Sequence, residues 1–294
     1  MAVARVALAT CFGCNNRSPS GESTGEAGIH SVPARASIAP NALPIPTASI
    51  EAAVNPEKLP VYNGPIGSVE GTVFVKGPDA ADMPALDFTT CPAAIDTYGK
   101  VFRSGRANAQ GLRPLADAVV VITGYSDFFL PDRTPSQRIT ITVDCAYPQR
   151  AIAMTYGQRL EVANDSKIPF APYLEGIIQP AVMIAPPRQS GDPVKLYPPR
   201  PGHYVLADRL QPFALEDLYV FRHPLHAVTD LGGHYRIDGV PVGKLKVGAL
   251  LKVIHSEVDV DVRANVVEKV DVVLSYTPPD AGVQPTGRPP HFIP

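Results

Sequence analysis

The stretch whose reading decides the fold runs from Arg200 to Gly243, RPGHYVLADRLQPFALEDLYVFRHPLHAVTDLGGHYRIDGVPVG. Pro201-Gly202 opens an alternating run from His203 to Asp208, and a loop leads on to a second apolar run, Leu218 to Phe221. Alternation of period two between turn residues marks a half-buried β-strand. After His223-Pro224 two short runs, Leu225–Thr229 and His234–Asp238, flank the Gly232-Gly233 turn and end at a Pro/Gly turn, Pro241 to Gly243. Glycine supplies the positive φ of such turns and proline sets their first dihedral. Short strands and tight turns in this density point to an all-β chain.

The pattern extends outward in both directions. Ser68 to Val75 alternates and ends in the turn signal Lys76-Gly77-Pro78. Asp117 to Thr123 is a near-continuous apolar run, which fits a strand covered on both faces. Arg138 to Cys145 alternates over eight positions. Strands are expected also at Ala151–Met154, Gln158–Ala163, Ala181–Ile184, Val194–Tyr197 and Gly202–Leu206. Beyond the Gly-Gly turn they continue at Gly243–Ile254, Ser256–Arg263 and Glu268–Tyr276. Spacing between turns stays near the ~8–12 residues of sandwiches and barrels. Phe213 to Tyr219 has room for one helical turn, and no stretch holds a 3.6-residue period for longer.

Composition narrows the function classes. The 294 residues are 45% hydrophobic and 18% charged, with a formal net charge of −2. That leaves room for a real core, and the near-neutral charge without a basic stripe gives nucleic-acid binding no support. The start, Arg5, an apolar stretch Val6–Phe12, then Gly13-Cys14, resembles a bacterial lipoprotein signal, in which lipid is attached to the cysteine after a small residue. The alternative is an unstructured N-terminus. Residues 15–63 are rich in Pro, Ala, Ser and Asn and read as a disordered linker, and 277–294 as a Pro-rich tail. Cys91 and Cys145 then form an even pair in an exported chain, expected as a disulfide or else as two buried thiols. A cross-link over that loop length stabilises by about 4 kcal/mol on the chain-entropy model.

Three places carry a family resemblance: Asp144-Cys145 through Asn164, Pro201-Gly202 through His223-Pro224, and Ala227 through Gly243. The first two resemble a plastocyanin-like cupredoxin domain. The third resembles the opening of a carboxypeptidase regulatory-like domain, often fused behind such a cupredoxin. The resemblance implies a cupredoxin-like Greek-key β-sandwich over 64–222, followed by a small carboxypeptidase regulatory-like (transthyretin-like) β-sandwich over 223–276, after a signal segment at 1–14. It also implies a copper site, whose residues are missing. In ungapped register Phe170 takes the place of the first His, and Asp208, Gln211, Phe213 and Ala214 those of Cys, His, Trp and Met. Blue copper needs two imidazoles and a thiolate, so no metal is expected there and no cofactor.

His223 and His226, with His203 and His234, are the other metal candidates, but catalytic zinc wants three convergent ligands. Asp259, Asp261 and Asp271 read as a solvated strand face rather than a calcium site. Asp208 and Glu216 are a carboxylate pair of the kind any chain this long offers, and no G-x-S-x-G, H-E-x-x-H or P-loop pattern is present. The expectation is a non-catalytic, copper-free cupredoxin-like protein. It would be exported to the periplasm or cell surface, lipid-anchored at Cys14 to the outer membrane, and would serve as a binding or structural subunit of an envelope assembly. Phe170, Tyr173, Gln211 and Phe213 are its candidate binding surface for envelope or surface proteins. The alternative is a metal-dependent redox carrier or enzyme using a His site outside the copper set.

Overall fold

The computed structural model describes residues 44–83, 86–132, 134–178, 181–252 and 254–278. The lipidation site Cys14, the signal segment and most of the 277–294 tail lie outside them. In chain order the elements are α1 (Thr47–Val54), β1 (Ile66–Lys76), α2 (Ile95–Tyr98), β2 (Arg113–Pro114), β3 (Val119–Thr123), β4 (Ser136–Ile141), β5 (Ala151–Thr155) and β6 (Arg159–Asn164). Then come β7 (Pro172–Leu174), β8 (Val194–Leu196), β9 (Gly202–Asp208), β10 (Glu216–Phe221) and β11 (His226–Val228). The last are β12 (His234–Pro241), β13 (Gly243–Leu251), β14 (Ile254–Val262), β15 (Val267–Lys269) and β16 (Val272–Ser275). The protein is nearly all β, as the alternation requires.

Four sheets form two sandwiches. In the first, β1 lies at the centre of one sheet, paired with β12, β15, β16 and β2, and faces the sheet β11-β3-β13-β14. Val69, Val73 and Val75 of β1 meet Val120, Ile122, Val247 and Val260 in its core. The second sandwich sets β5-β10-β9-β7 against β4-β6-β8. Its core holds Ile141, Ile152, Met154, Leu160, Leu206, Leu218 and Val220.

The sandwiches stack directly on one another. Val119 and Val121 turn away from the first core and meet Ala151, Ala153, Tyr219 and Phe221 of the second sandwich. Successive side chains of a strand point to opposite faces. The run Val119-Val-Val-Ile122 is therefore buried throughout because it feeds one core with its even positions and the junction with its odd ones. Alanines on β5 leave room for the two aromatic rings of β10. Asp117 ties the junction further: Arg103 donates to its two oxygens at 2.7 and 2.6 Å, and the Arg150 amide donates at 2.9 Å. Thr229 closes the base of the first sandwich, accepting from the Ala118 amide at 2.9 Å and donating to Leu115 O at 2.8 Å.

This topology corrects the linear division at 222/223. β1 pairs along Ile66–Thr72 with β12 and along Val73–Lys76 with β16, so residues near 66–76 belong to the same sandwich as the C-terminal strands. The second sandwich, β4 to β10, is an insertion between β3 and β11. The sequence shows alternation but not partners, and a strand's partner is set by which faces complement each other over long range. The Gly-Gly turn explains part of the pairing. Gly233 has φ +77°, and a Cβ there would stand 2.7 Å from Val73 O and 2.9 Å from Leu115 N, so only glycine lets β1 approach.

Two further corrections concern local structure. Residues 15–63 are not linker throughout: α1 packs Ile50, Ala53 and Val54 against the inserted sandwich. The helix was illegible because it is eight residues long, starts at Pro46 without a side-chain cap, and buries no residue fully. Residues 181–184 are not a strand; only the adjacent Ala185 bridges, to Phe170. Cys91 and Cys145 are joined as a disulfide with 6.3 Å between their Cα atoms. It fastens the β1–β2 connection to the β4–β5 turn. Among the described residues no helix is long and apolar enough to cross a membrane.

The insertion topology makes a direct prediction. A fragment of residues 223–278 lacks β1 and β3 and should show no cooperative thermal transition by circular dichroism. A cooperative transition in that fragment would restore the linear division.

Candidate functional site

The resemblance directs attention to the end of the inserted sandwich where the β6–β7 and β9–β10 loops meet. Asn164 closes β6 and organises the first loop. Its amide donates to Ile168 O at 2.8 Å and Ala185 O at 3.0 Å, while its oxygen accepts from the Ser166 amide and hydroxyl at 2.9 and 2.7 Å. Asn164 and Ser166 are buried, and this bonding satisfies polar groups that burial would otherwise strand. The second loop begins at Asp208, which also reaches the first: one carboxylate oxygen accepts from the Ala171 amide at 2.7 Å, and the other from the Leu210 and Gln211 amides, both at 2.9 Å.

All four sequence-predicted residues come to this end, but only one is on the surface. Phe170 is fully buried, Phe213 is 1% exposed and Gln211 6%. Phe213 packs among Phe88 and Tyr98, with ring centroids at 5.5 and 5.9 Å. Gln211 is spent on internal bonds, donating to Pro169 O at 3.2 Å and accepting from the Thr90 hydroxyl at 3.0 Å. The binding-surface assignment of Phe170, Gln211 and Phe213 is therefore corrected: they are core. Phe170 and Phe213 fill this end of the sandwich and keep it closely packed. Tyr173 is half-buried, with the Arg209 guanidinium 4.4 Å from its ring centroid.

These residues do not fit copper. No sulfur or imidazole stands at the four positions, and the Asp208 carboxylate is engaged by three backbone N–H groups. Burial raises the Asp208 pKa against the pull of those amides. The histidines are dispersed among separate partners. His203 Nε2 lies 2.8 Å from Asp217, His234 Nδ1 3.1 Å from Thr72, and His226 Nε2 3.2 Å from Thr155. Among the described residues no three His, Cys, Asp or Glu converge on a metal position.

Behind the filled end lies a buried polar group that the sequence did not reveal. Tyr98 donates to Glu216 Oε1 at 2.5 Å and accepts from the Tyr147 amide at 3.1 Å. Glu216 is 1% exposed, and its Oε2 and the Tyr147 hydroxyl find no partner among the described residues. Burial raises the Glu216 pKa well above its ordinary value, more than the Tyr98 hydrogen bond and the Arg150 charge lower it. Burial thus favours the neutral form of the carboxyl. The carboxylate pair Asp208 and Glu216 is enclosed with it, which suits packing rather than acid–base work on a substrate. The one signal in the sequence was the acidic pair Glu216-Asp217 opening the apolar run Leu218 to Phe221.

A broad hollow of about 730 Å³ is lined by residues of β1, β11, β12 and β15, but its charged groups are engaged within the protein, Asp230 and Asp271 by backbone amides. Arg236 bonds to Glu70 at 2.9 Å and to Asp238 at 2.9 Å.

No family model and no curated protein matches this chain. Among the solved structures it matches are amicyanins. Amicyanin from Paracoccus versutus (Thiobacillus versutus) is 14% identical, at a TM-score of 0.25, over 31% of this chain and 84% of that one. A Cu(I) form of an amicyanin mutant is 18% identical, at 0.24, over 34% of this chain and 97% of that one. A reduced amicyanin mutant is 16% identical, at 0.25, over 34% and 98%. The likeness thus involves about a third of this chain.

Two substitutions test the reading of this end as packed core. Phe213→Ala should cost about 3–5 kcal/mol in urea unfolding, whereas a surface phenylalanine would cost little. Glu216→Gln should gain stability over the parent as pH rises. The folded-state pKa is raised, so above the ordinary 4.5 the unfolded state sheds its proton first and the folded parent loses stability. The loss runs at about 1.4 kcal/mol per pH unit up to the folded-state value. Stability curves of parent and variant that stay parallel from pH 4 to 7 would refute the neutral carboxyl.

Proposed function

We propose that the chain is an exported, non-catalytic, copper-free protein whose inserted sandwich is cupredoxin-like and whose first sandwich is carboxypeptidase regulatory-like. Its role is that of a binding or structural subunit in a bacterial envelope or surface assembly, held to the outer membrane by lipid on Cys14. One observation carries the reading. The end that would bind copper is filled by Phe170 and Phe213 and cross-bonded by Asp208 and Gln211, so it serves rigidity instead of electron transfer. The Cys91–Cys145 disulfide supports export, since such bonds persist in oxidising compartments.

Binding then falls to the rim of that end. Ile184 and Leu210 are exposed, next to Ala185 and Arg209, which bond to Phe170 and Ala171 of the facing loop. With Tyr173 and Arg209 they give an apolar and aromatic surface of the kind protein partners use. The rigid polar network beneath keeps that surface pre-formed, which lowers the ordering cost of association.

Elemental analysis of native protein should find no stoichiometric copper, and the intense visible absorption of a copper–thiolate site should be absent. Affinity purification from cross-linked envelopes should recover partner proteins, and Ile184→Ser with Leu210→Ser should lose them with an unchanged melting temperature. Stoichiometric copper, or partners retained by the double variant, would overturn the reading.

A further inference from the structure

A second hollow, of about 280 Å³, lies where the segment after α1 meets the β3–β4 loop and the β10–β11 junction. Tyr125, Phe128 and Phe129 supply aromatic wall, Val54 and Leu59 aliphatic wall, and His223 part of the base. The Tyr125 and Phe128 rings stack at 5.0 Å with 4° between their planes, and Tyr62 packs on the far side of Phe128 at 4.4 Å. None of these residues belongs to the filled copper end.

Two polar atoms in this wall are stranded. His223 is 6% exposed, and its Nδ1 accepts the Leu225 amide at 3.3 Å, which puts the ring proton on Nε2. That Nε2–H and the Tyr125 hydroxyl are both buried without a partner among the described residues. The two rings face edge to plane at 5.7 Å. Burial first, and then the neighbouring His226, lowers the His223 pKa to about 3, so the imidazole is neutral and offers one donor. Buried donors and acceptors are almost always satisfied, and two orphans in the wall of one apolar hollow call for an oxygen atom between them. Small-molecule sites have this make-up, an apolar and aromatic cleft with a few polar groups, often at a junction between domains.

We infer that this cleft binds a small, planar, uncharged ring compound bearing a carbonyl or hydroxyl oxygen. The ring lies along the Tyr125–Phe128 wall. Phe128, only half-buried, turns aside, and the oxygen accepts from His223 Nε2–H and bonds to the Tyr125 hydroxyl. The neutral imidazole offers a hydrogen bond but no charge, and the lining carries one cation, Arg222, against one anion, Glu57, a balance that suits an uncharged ligand. This site does not depend on the role proposed for the filled end.

The test is a titration of the full chain with acetophenone, followed by NMR and calorimetry. Ethylbenzene is the control of similar shape without the oxygen, and benzoate the charged one. Acetophenone should shift the Tyr125, Phe128 and His223 resonances saturably. It should bind about fivefold to tenfold more tightly than ethylbenzene, the difference one satisfied hydrogen bond makes. Tyr125→Phe and His223→Phe should each lose a similar factor, while circular dichroism shows the fold retained. Tyr125→Phe removes only an orphaned hydroxyl, so its melting temperature should hold or rise and its lost binding would not reflect misfolding; His223→Phe also gives up the acceptor of the Leu225 amide and is read beside it. Absence of saturable shifts at millimolar acetophenone would overturn the site and leave the two atoms to a trapped water. Equal binding of ethylbenzene, tighter binding of benzoate, or undiminished binding by both variants would also overturn it.

Discussion

The contact on which the rest of the molecule depends is the face between β3 and the β5–β10 pair. Val119 and Val121 meet Ala151, Ala153, Tyr219 and Phe221 there, and the same short strand fills the first core from its other side. Burying side chains of this size stabilises by about 1.5–3 kcal/mol each. The contact joins two sandwiches into a four-layer stack. Polar groups at its edges, Asp117 with Arg103 and Arg150, and Thr155 with His226, fix its orientation, because a displaced partner would leave a buried charge or hydroxyl unsatisfied.

Strand identity was largely legible in the sequence, and strand partnership was not. The alternation of Val69, Val73 and Val75 shows a buried face, but nothing local shows that the face belongs with Val272 and Leu274 some two hundred positions later. The apolar run from Val119 was readable as doubly covered, although not by what. Helix α1 escaped notice because an uncapped eight-residue helix is held by tertiary contact rather than by its own propensity.

The site was legible by subtraction. Aligning Asp208, Gln211 and Phe213 with the ligand positions that the resemblance implies drew attention to two loops, and those loops do meet. Whether Phe170 and Phe213 faced solvent or core was beyond the sequence, since an aromatic side chain suits either. The Phe88–Tyr98 segment that covers Phe213 comes from the β1–β2 connection, far away in the chain. Tyr125 and His223 were equally hidden. A single His and a single Tyr carry no pattern, and only their shared isolation in three dimensions makes them notable.

The insertion topology bears on the order in which the molecule is built. β4 to β10 emerge together and can close their own core early, with mainly shorter-range pairings. β1 is made before them, yet its partners β12, β15 and β16 come last. Until then, apart from the short β2, it remains an apolar strand with open edges on a growing chain, a template for aggregation. Pairings of such high contact order are slow to form. The final step of maturation is therefore the capture of β1 by the C-terminal strands, and a chain cut short before Val272 would leave the second half of β1 with only the two-residue β2 beside it.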